Sequence, residues 1–174
     1  TIGRRQRQMC IRDRQYPAAD QLAVGLEWVP SDRIVTVTSG QSQLISLERL
    51  ASPATPNPQL VRIPIQGSQS RYYTAEARQR IGFDANLPDD AIVVHLVDLE
   101  KQSNLQVDVV GRPPADNYYF PSTPTIWGPD RDFVDSENNI VIDVLAATAS
   151  GYTINVSSGA LTIDNVTIDG PDVS

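Results

Sequence analysis

The sequence predicts an all-β protein, an antiparallel β-sandwich of the jelly-roll-like kind with long proline-rich loops and little helix. Three observations support this prediction. Apolar and polar residues alternate over short segments, which is the period of a strand with one buried face. These segments are rich in β-branched and aromatic residues, and turn-forming residues separate them. Several short strands cannot cover both faces of one open sheet, so two packed sheets are expected.

Eight segments of the chain meet these criteria. The most apolar is 91–99, so we place this strand at the centre of a sheet and expect both of its faces to be covered. The predicted strands are residues 33–38, 43–47, 60–65, 72–78, 91–99, 105–110, 140–145 and 152–157.

Helix signals are weak by comparison. Residues 18–24 could form one short helical turn. Residues 76–81 have a helix-friendly composition, but Tyr72, Tyr73 and Thr74 just before them favour a strand. We therefore expect hardly any helix in the fold.

Two proline-rich segments are predicted to be loops. Residues 52–58 contain three prolines, which exclude both a helix and a central strand. Residues 111–129 contain five prolines interleaved with large aromatic rings. These rings are either a contact surface for a ligand or anchors that pin the loop to the core. The rings concerned are Tyr118, Tyr119, Phe120 and Trp127.

The chain is predicted to fall into three parts. Residues 1–14 are interpreted as a non-native leader, because residues 4–14 can be back-translated into a string that resembles a sequencing-library adapter. The alternative is a basic arm that binds nucleic acid, since five arginines cluster there. Residues 15–157 are long enough for one domain with a sizeable core. Residues 158–174 are interpreted as a linker or the start of a further β domain.

Composition limits the classes of function. The chain has 14 basic and 21 acidic side chains; the leader holds five arginines and one aspartate, which leaves 9 and 20, a net charge of −11. Such a surface repels phosphates and anionic lipids, so nucleic acid and membranes are not expected partners. The sequence has no run of about 18 apolar residues, so no membrane span is predicted. Cys10 and Met9, the only residues of their types, both lie in the leader. This composition is typical of an extracellular protein.

Charged side chains surround the corner between two predicted strands. Glu76 and Arg78 are two residues apart and therefore fall on one face of a strand. A buried pair of opposite charges would fix how the chain turns there, because bidentate bonds are directional. We predict a charged corner with a structural role, formed by Glu76, Arg78, Asp84 and Asp98.

Signals for catalysis and for metal binding are sparse. His95 is the only histidine, so a zinc-binding H-E-x-x-H helix cannot form in this chain. His95 lies inside a predicted strand, and we interpret it as a hydrogen-bonded histidine rather than a general base or metal ligand. Oxygen ligands for calcium are offered by Asp130, Asp132 and Asp135, although a solvated acidic turn explains the same pattern. No catalytic residue is predicted.

The segment YYTAEARQRIGFDANLP, followed by an apolar strand that ends in HLVD, resembles a region of secreted zinc metallopeptidases of the immune inhibitor A and gametolysin-like kind. Weaker similarities extend over residues 16–157. A glycine is usual where Asp90 and Ala91 stand, so this turn departs from the family pattern. The pattern is matched by Glu76, Arg78, Gly82, Phe83, Asp84, Leu87, Pro88, Val97 and Asp98.

The resemblance implies a non-catalytic β-rich fragment of a zinc-dependent endopeptidase. In that family the zinc ligands precede this region, so residues 15–157 are expected to follow a missing N-terminal catalytic domain, to support it and to help shape its cleft for a protein or peptide substrate. Zinc would belong to the parent protein and not to this chain. The alternatives are a free-standing extracellular module that binds carbohydrate or protein, or an adhesin repeat.

Overall fold

The computed structural model describes residues 29–85, 87, 89–101, 106–110, 127–129 and 131–159. Within these residues two β-sheets pack face to face, which confirms the predicted all-β sandwich. The five-stranded first sheet has the order β1-β3-β4-β5-β6, and the four-stranded second sheet has the order β2-β9-β8-β7. The strands are β1 (Ile34–Thr36), β2 (Gln41–Glu48), β3 (Leu60–Pro64), β4 (Arg71–Arg78), β5 (Ala91–Asp98), β6 (Val107–Val109), β7 (Phe133–Asp135), β8 (Ile140–Thr148) and β9 (Gly151–Ser158).

Each of the eight predicted strand segments overlaps an observed strand. Strand β7 was not predicted, because three residues are too short for an alternating pattern to stand out. Residues 76–81 do not form a helix: β4 continues to Arg78, and a single 3-10 turn follows at Gly82–Asp84. The predicted helical turn at 18–24 lies outside the described residues. Within the described part of the chain, no helix is long and apolar enough to cross a membrane.

One strand pair departs from the antiparallel expectation. β1 runs parallel to β3, with Ile34 opposite Leu60, whereas the other strand pairs of the described residues are antiparallel. The chain leaves β1, forms β2 in the second sheet and then returns to the first sheet as β3. Such a long excursion allows two strands of one sheet to point the same way, which a tight hairpin cannot do.

The core lies between the sheets and follows from the alternation of side chains. On β5, Ile92 and Val94 point into this core, while Val93, His95 and Val97 face the outside of the first sheet. All five are buried, and β5 lies between β4 and β6. The predicted central placement of this strand, with both faces covered, is therefore confirmed.

Candidate functional site

The candidate site lies on the outer face of the first sheet, at the end of β4. Alternate residues of this strand, Tyr73, Ala75 and Ala77, point into the core between the sheets. Glu76 and Arg78 therefore point to the opposite face. Both are nevertheless buried, with Glu76 0% and Arg78 3% exposed. A carboxylate and a guanidinium without solvent require close partners.

Arg78 binds two carboxylates at once. Its Nε donates to Oε1 of Glu76 at 2.8 Å, and its Nη2 donates to the same oxygen. Its Nη1 lies 3.0 and 3.2 Å from the two carboxylate oxygens of Asp84. Asp84 is also buried, and the 3-10 turn Gly82–Asp84 brings it back over the strand end. We call Glu76, Arg78 and Asp84 the Arg78 cluster.

The electrostatics of the Arg78 cluster keep the guanidinium charged. Burial alone would lower the pKa of Arg78, but the carboxylates of Glu76 and Asp84 outweigh it and raise the pKa above its ordinary value. The second carboxylate oxygen of Glu76 is buried and has no hydrogen-bond partner among the described residues. Arg78 is the shared partner of both carboxylates, so its removal would leave Glu76 and Asp84 buried without compensation.

Asp98, which the sequence grouped with these residues, lies elsewhere. β4 and β5 pair over their full length, so Arg78 lies opposite Ala91 and Asp98 lies opposite Arg71. The Nε of Arg71 is 3.8 Å from Oδ2 of Asp98, and the pair is partly exposed to solvent. Asp98 is thus at the other end of the strand pair, because an antiparallel hairpin places its first and last residues together and away from the turn.

His95 is fully buried in the middle of β5. Its Nδ1 is 3.4 Å from Oγ1 of Thr74, the residue opposite it on β4. Both side chains lie on the outer face of the first sheet. On β4, Thr74 is two residues before Glu76 and therefore shares its face. The ring has no surface exposed to solvent.

Trp127 is the one described member of the predicted aromatic surface. Its indole Nε1 donates to the carbonyl of Val110 at 3.2 Å, and its ring meets Phe133 edge-on with centroids 5.6 Å apart. Its backbone pairs with Ile92. Trp127 therefore anchors its segment to the core; Tyr118, Tyr119 and Phe120 lie outside the described residues.

Two of the three candidate calcium ligands, Asp132 and Asp135, are described, and each accepts hydrogen bonds from the protein. Asp135 accepts four hydrogen bonds: from the Tyr73 hydroxyl, from the backbone of Glu137, and from the backbone and side chain of Asn138. Asp132 accepts a bond from the backbone of Val144. Asp130 lies outside the described residues, and among those described no group of three histidine, cysteine or acidic side chains could hold a metal. Calcium binding stays a prediction.

One important buried acid was missed by the sequence analysis. Glu48, at the end of β2, is only 1% exposed. It accepts bonds from the backbone of Ala54 (2.7 Å) and from the hydroxyls of Thr55 (2.5 Å) and Ser150 (2.8 Å). Glu48 thereby fixes the predicted loop 52–58 to the second sheet. No sequence signal marks it, because its partners are six to 102 positions away.

No family model, curated protein or solved structure matches the chain. The best-defined arrangement of polar groups among the described residues is the Arg78 cluster, in which one guanidinium holds two carboxylates away from solvent.

Proposed function

We propose that this sandwich is a non-catalytic unit of a secreted zinc-dependent endopeptidase, where it packs against the catalytic domain and supports its substrate cleft. The Arg78 cluster is the observation that carries the proposal. Glu76, Arg78 and Asp84 are three of the residues through which the chain resembles such peptidases, and they form one physical unit. A pattern with one structural cause is better support for a resemblance than scattered matches would be.

The glycine of the pattern has a structural cause as well. Gly82 has a φ of +57°, a conformation that other residues adopt only with strain. A Cβ atom at this position would lie 2.9 Å from the Oγ atom of Ser52. Gly82 begins the turn that carries Asp84 to Arg78. The spacing from Glu76 to Asp84 therefore leaves room for the end of the strand and for the turn that brings Asp84 to Arg78.

A buried cluster of this kind supports a surface instead of reacting at it. Its members are between 0% and 4% exposed. Because they bind one another and not the solvent, the corner should keep its conformation when it packs against a neighbouring domain. In this proposal the catalytic domain belongs to the same polypeptide and carries the zinc ion, and the substrate is a protein or peptide. Outside residues 1–14 the chain is acidic and has no cysteine, because the only cysteine lies within that segment. This composition agrees with secretion.

The rival function, a free-standing module that binds carbohydrate or protein, requires the aromatic rings of the proline-rich segment to face a ligand. Trp127 instead bonds to Val110 and packs on Phe133. For Trp127, the one described ring of the four, this contact is the one that the supporting role expects.

The first test is to recover the full reading frame around this segment. We expect an H-E-x-x-H motif upstream and in frame; a frame that starts near Gln15 with no peptidase region ahead of it would refute the proposal. The second test uses the purified chain, which we expect not to hydrolyse unstructured peptides when zinc is added. Zinc-dependent turnover that survives purification and is lost with chelator would also refute it.

A third test places Arg78→Ala in the longer protein. If the sandwich supports the catalytic domain, this substitution should shorten the half-life of peptidase activity on warming. Arg80→Ala is the matched control, because Arg80 pairs with Asp89 and Asp90 at the exposed surface. Equal half-lives for the two variants would argue against support by the sandwich.

A further inference from the structure

The edge strands of the two sheets differ sharply in length. Among the described strands, β1 and β6 form the edges of the first sheet, and β2 and β7 form those of the second. Strands β1, β6 and β7 have three residues each, whereas β2 has eight. Short edges cannot template much pairing with another chain, which is a usual protection against association. β2 lacks this protection.

Charges, prolines and irregular pairing also protect edge strands, and most of β2 has none of these. Its first seven residues contain no charge and no proline, and its pairing with β9 is regular throughout. Its one charged residue, Glu48, is buried and bound to the loop that follows. Among the described residues, an eight-residue edge of this kind is a surface that can pair with another strand.

The backbone of β2 shows which residues are available. The amide of Arg49 donates to Ser150, toward β9, while the amide of Glu48 donates to Pro58, on the opposite side. Along an antiparallel strand, the backbone N–H and C=O groups of successive residues point to opposite sides. The backbone groups of Ser42, Leu44 and Ser46 therefore point away from β9, to the side where the sheet of the described residues ends.

The side chains of these same residues are open to solvent. Ser42, Leu44 and Ser46 are all exposed, on the outer face of the second sheet. Leu44 is 65% exposed, the highest value for a large apolar side chain among the described residues. It lies between two serines whose backbone N–H and C=O groups are also directed away from β9.

We propose that β2 pairs antiparallel with β2 of a second copy of this chain, about a two-fold axis at Leu44. The pairing sets Leu44 against Leu44 and each Ser42 against the Ser46 of the other copy, with about six main-chain hydrogen bonds. A second copy is the fitting occupant because the three outward-directed residues, Ser42, Leu44 and Ser46, carry no charge and read the same in both directions about the leucine. The two exposed leucines then cover each other, and no like charges meet across the axis.

The contact is small, which sets the expected strength. A few residues from each copy bury less than the roughly 1,200 Å² of a standard stable interface, so a dissociation constant on the order of 10–100 µM is expected. The two second sheets would join into one continuous sheet.

The test is sedimentation of the full chain over concentrations from about 5 to about 500 µM, a range that brackets the expected constant. A reducing agent is present throughout, because Cys10 could otherwise link two chains. We expect the average mass to rise from 19.1 kDa toward twice that value. A constant mass of one chain over the whole range would overturn the proposal.

Three variants locate the contact. Leu44→Lys brings two like charges together at the axis and should weaken association by at least about tenfold. Leu44→Pro removes an amide that points away from β9, so it should weaken association while leaving the β2–β9 pairing in place. Val134→Lys is the matched control, since Val134 is 60% exposed and lies on β7, the other edge of the same sheet.

Circular dichroism and thermal unfolding establish that each variant is folded before its mass is compared. Association of Leu44→Lys as strong as that of the unchanged chain would overturn the proposal. Equal loss of association in Val134→Lys would overturn it as well, because the contact would then not be specific to the edge at β2.

Discussion

The hydroxyl of Tyr73 donates a hydrogen bond of 2.8 Å to Oδ2 of Asp135 and so links the two sheets. Tyr73 belongs to β4 of the first sheet and Asp135 to β7 of the second. Burial, together with the Asp135 carboxylate, raises the pKa of Tyr73. Burial alone would raise the pKa of Asp135 too, but hydrogen bonds from Asn138 and Tyr73 outweigh it and lower that pKa. The bond therefore joins a neutral phenol to a charged carboxylate.

Tyr73→Phe should lower the free energy of unfolding by about 1–2 kcal/mol, because it removes a hydrogen bond to a charged acceptor that is partly screened by solvent. Urea unfolding of Tyr73→Phe, Asp135→Asn and the double variant measures the coupling between the two residues. Effects that simply add would mean that the bond does not contribute to stability.

Arg78→Ala should be the most damaging substitution at the charged corner. It leaves Glu76 and Asp84 buried without their cation, which costs about 3–5 kcal/mol for a broken buried ion pair. Arg78→Lys should also destabilise the fold, since an ammonium cannot make the forked contacts of a guanidinium. Denaturant unfolding is the measurement.

Arg80→Ala is the control for this corner. Arg80 is paired but half exposed, so its loss should cost less than about 1 kcal/mol. Similar losses for Arg78→Ala and Arg80→Ala would contradict the view that burial makes the Arg78 cluster important.

Glu48 should make the fold sensitive to acid. Burial alone would raise the pKa of Glu48, but the hydrogen bonds from Thr55, Ala54 and Ser150 outweigh it and lower the pKa below its ordinary value of 4.5. Its contribution to stability is therefore complete above pH 4.5 and is lost as the pH falls through the lower pKa of the folded state.

Glu48→Gln should flatten this acid limb of the stability curve, because an amide does not titrate in that range. Unfolding free energies measured from pH 7 down to about pH 3 provide the comparison. Glu137→Gln serves as a control, because Glu137 is exposed. Its unfolding free energy should depend on pH as that of the unchanged chain does. An unchanged acid limb in Glu48→Gln would show that other carboxylates control it.

Gly151 should not tolerate a side chain. A Cβ atom there would lie 1.9 Å from the carbonyl oxygen of Leu47 on the paired strand, and backbone cannot move aside as a flexible side chain does. Gly151→Ala should therefore cost about 3 kcal/mol or more, or prevent folding.

Gly67→Ala gives the comparison for Gly151. Gly67 has a φ of +81° but open space around it, so only the conformational cost of about 1–2 kcal/mol applies. Thermal unfolding of both variants measures the difference. Equal melting temperatures would mean that β2 and β9 can move apart at Gly151 without a loss of stability, which would contradict the prediction.

Much of the candidate site follows from local sequence. Glu76 and Arg78 share a face because side chains alternate along a strand, and Gly82 allows the turn that returns Asp84 to them. Asp98 could not be placed in the same way, since its neighbour depends on how far the β4–β5 pairing extends. The role of Glu48 was equally hidden, because Ser150 reaches it from a distant hairpin.

By itself, the sequence determined the class of fold and the position of most strands, because alternation and turn residues act over a few neighbouring positions. The tertiary structure alone decided which strands pair. It placed β2 in the second sheet beside β9, made β1 parallel to β3 and, among the described strands, put β2 at the edge of its sheet. Pairing depends on contacts between residues far apart in the chain, and an alternating segment offers the same backbone groups to any partner.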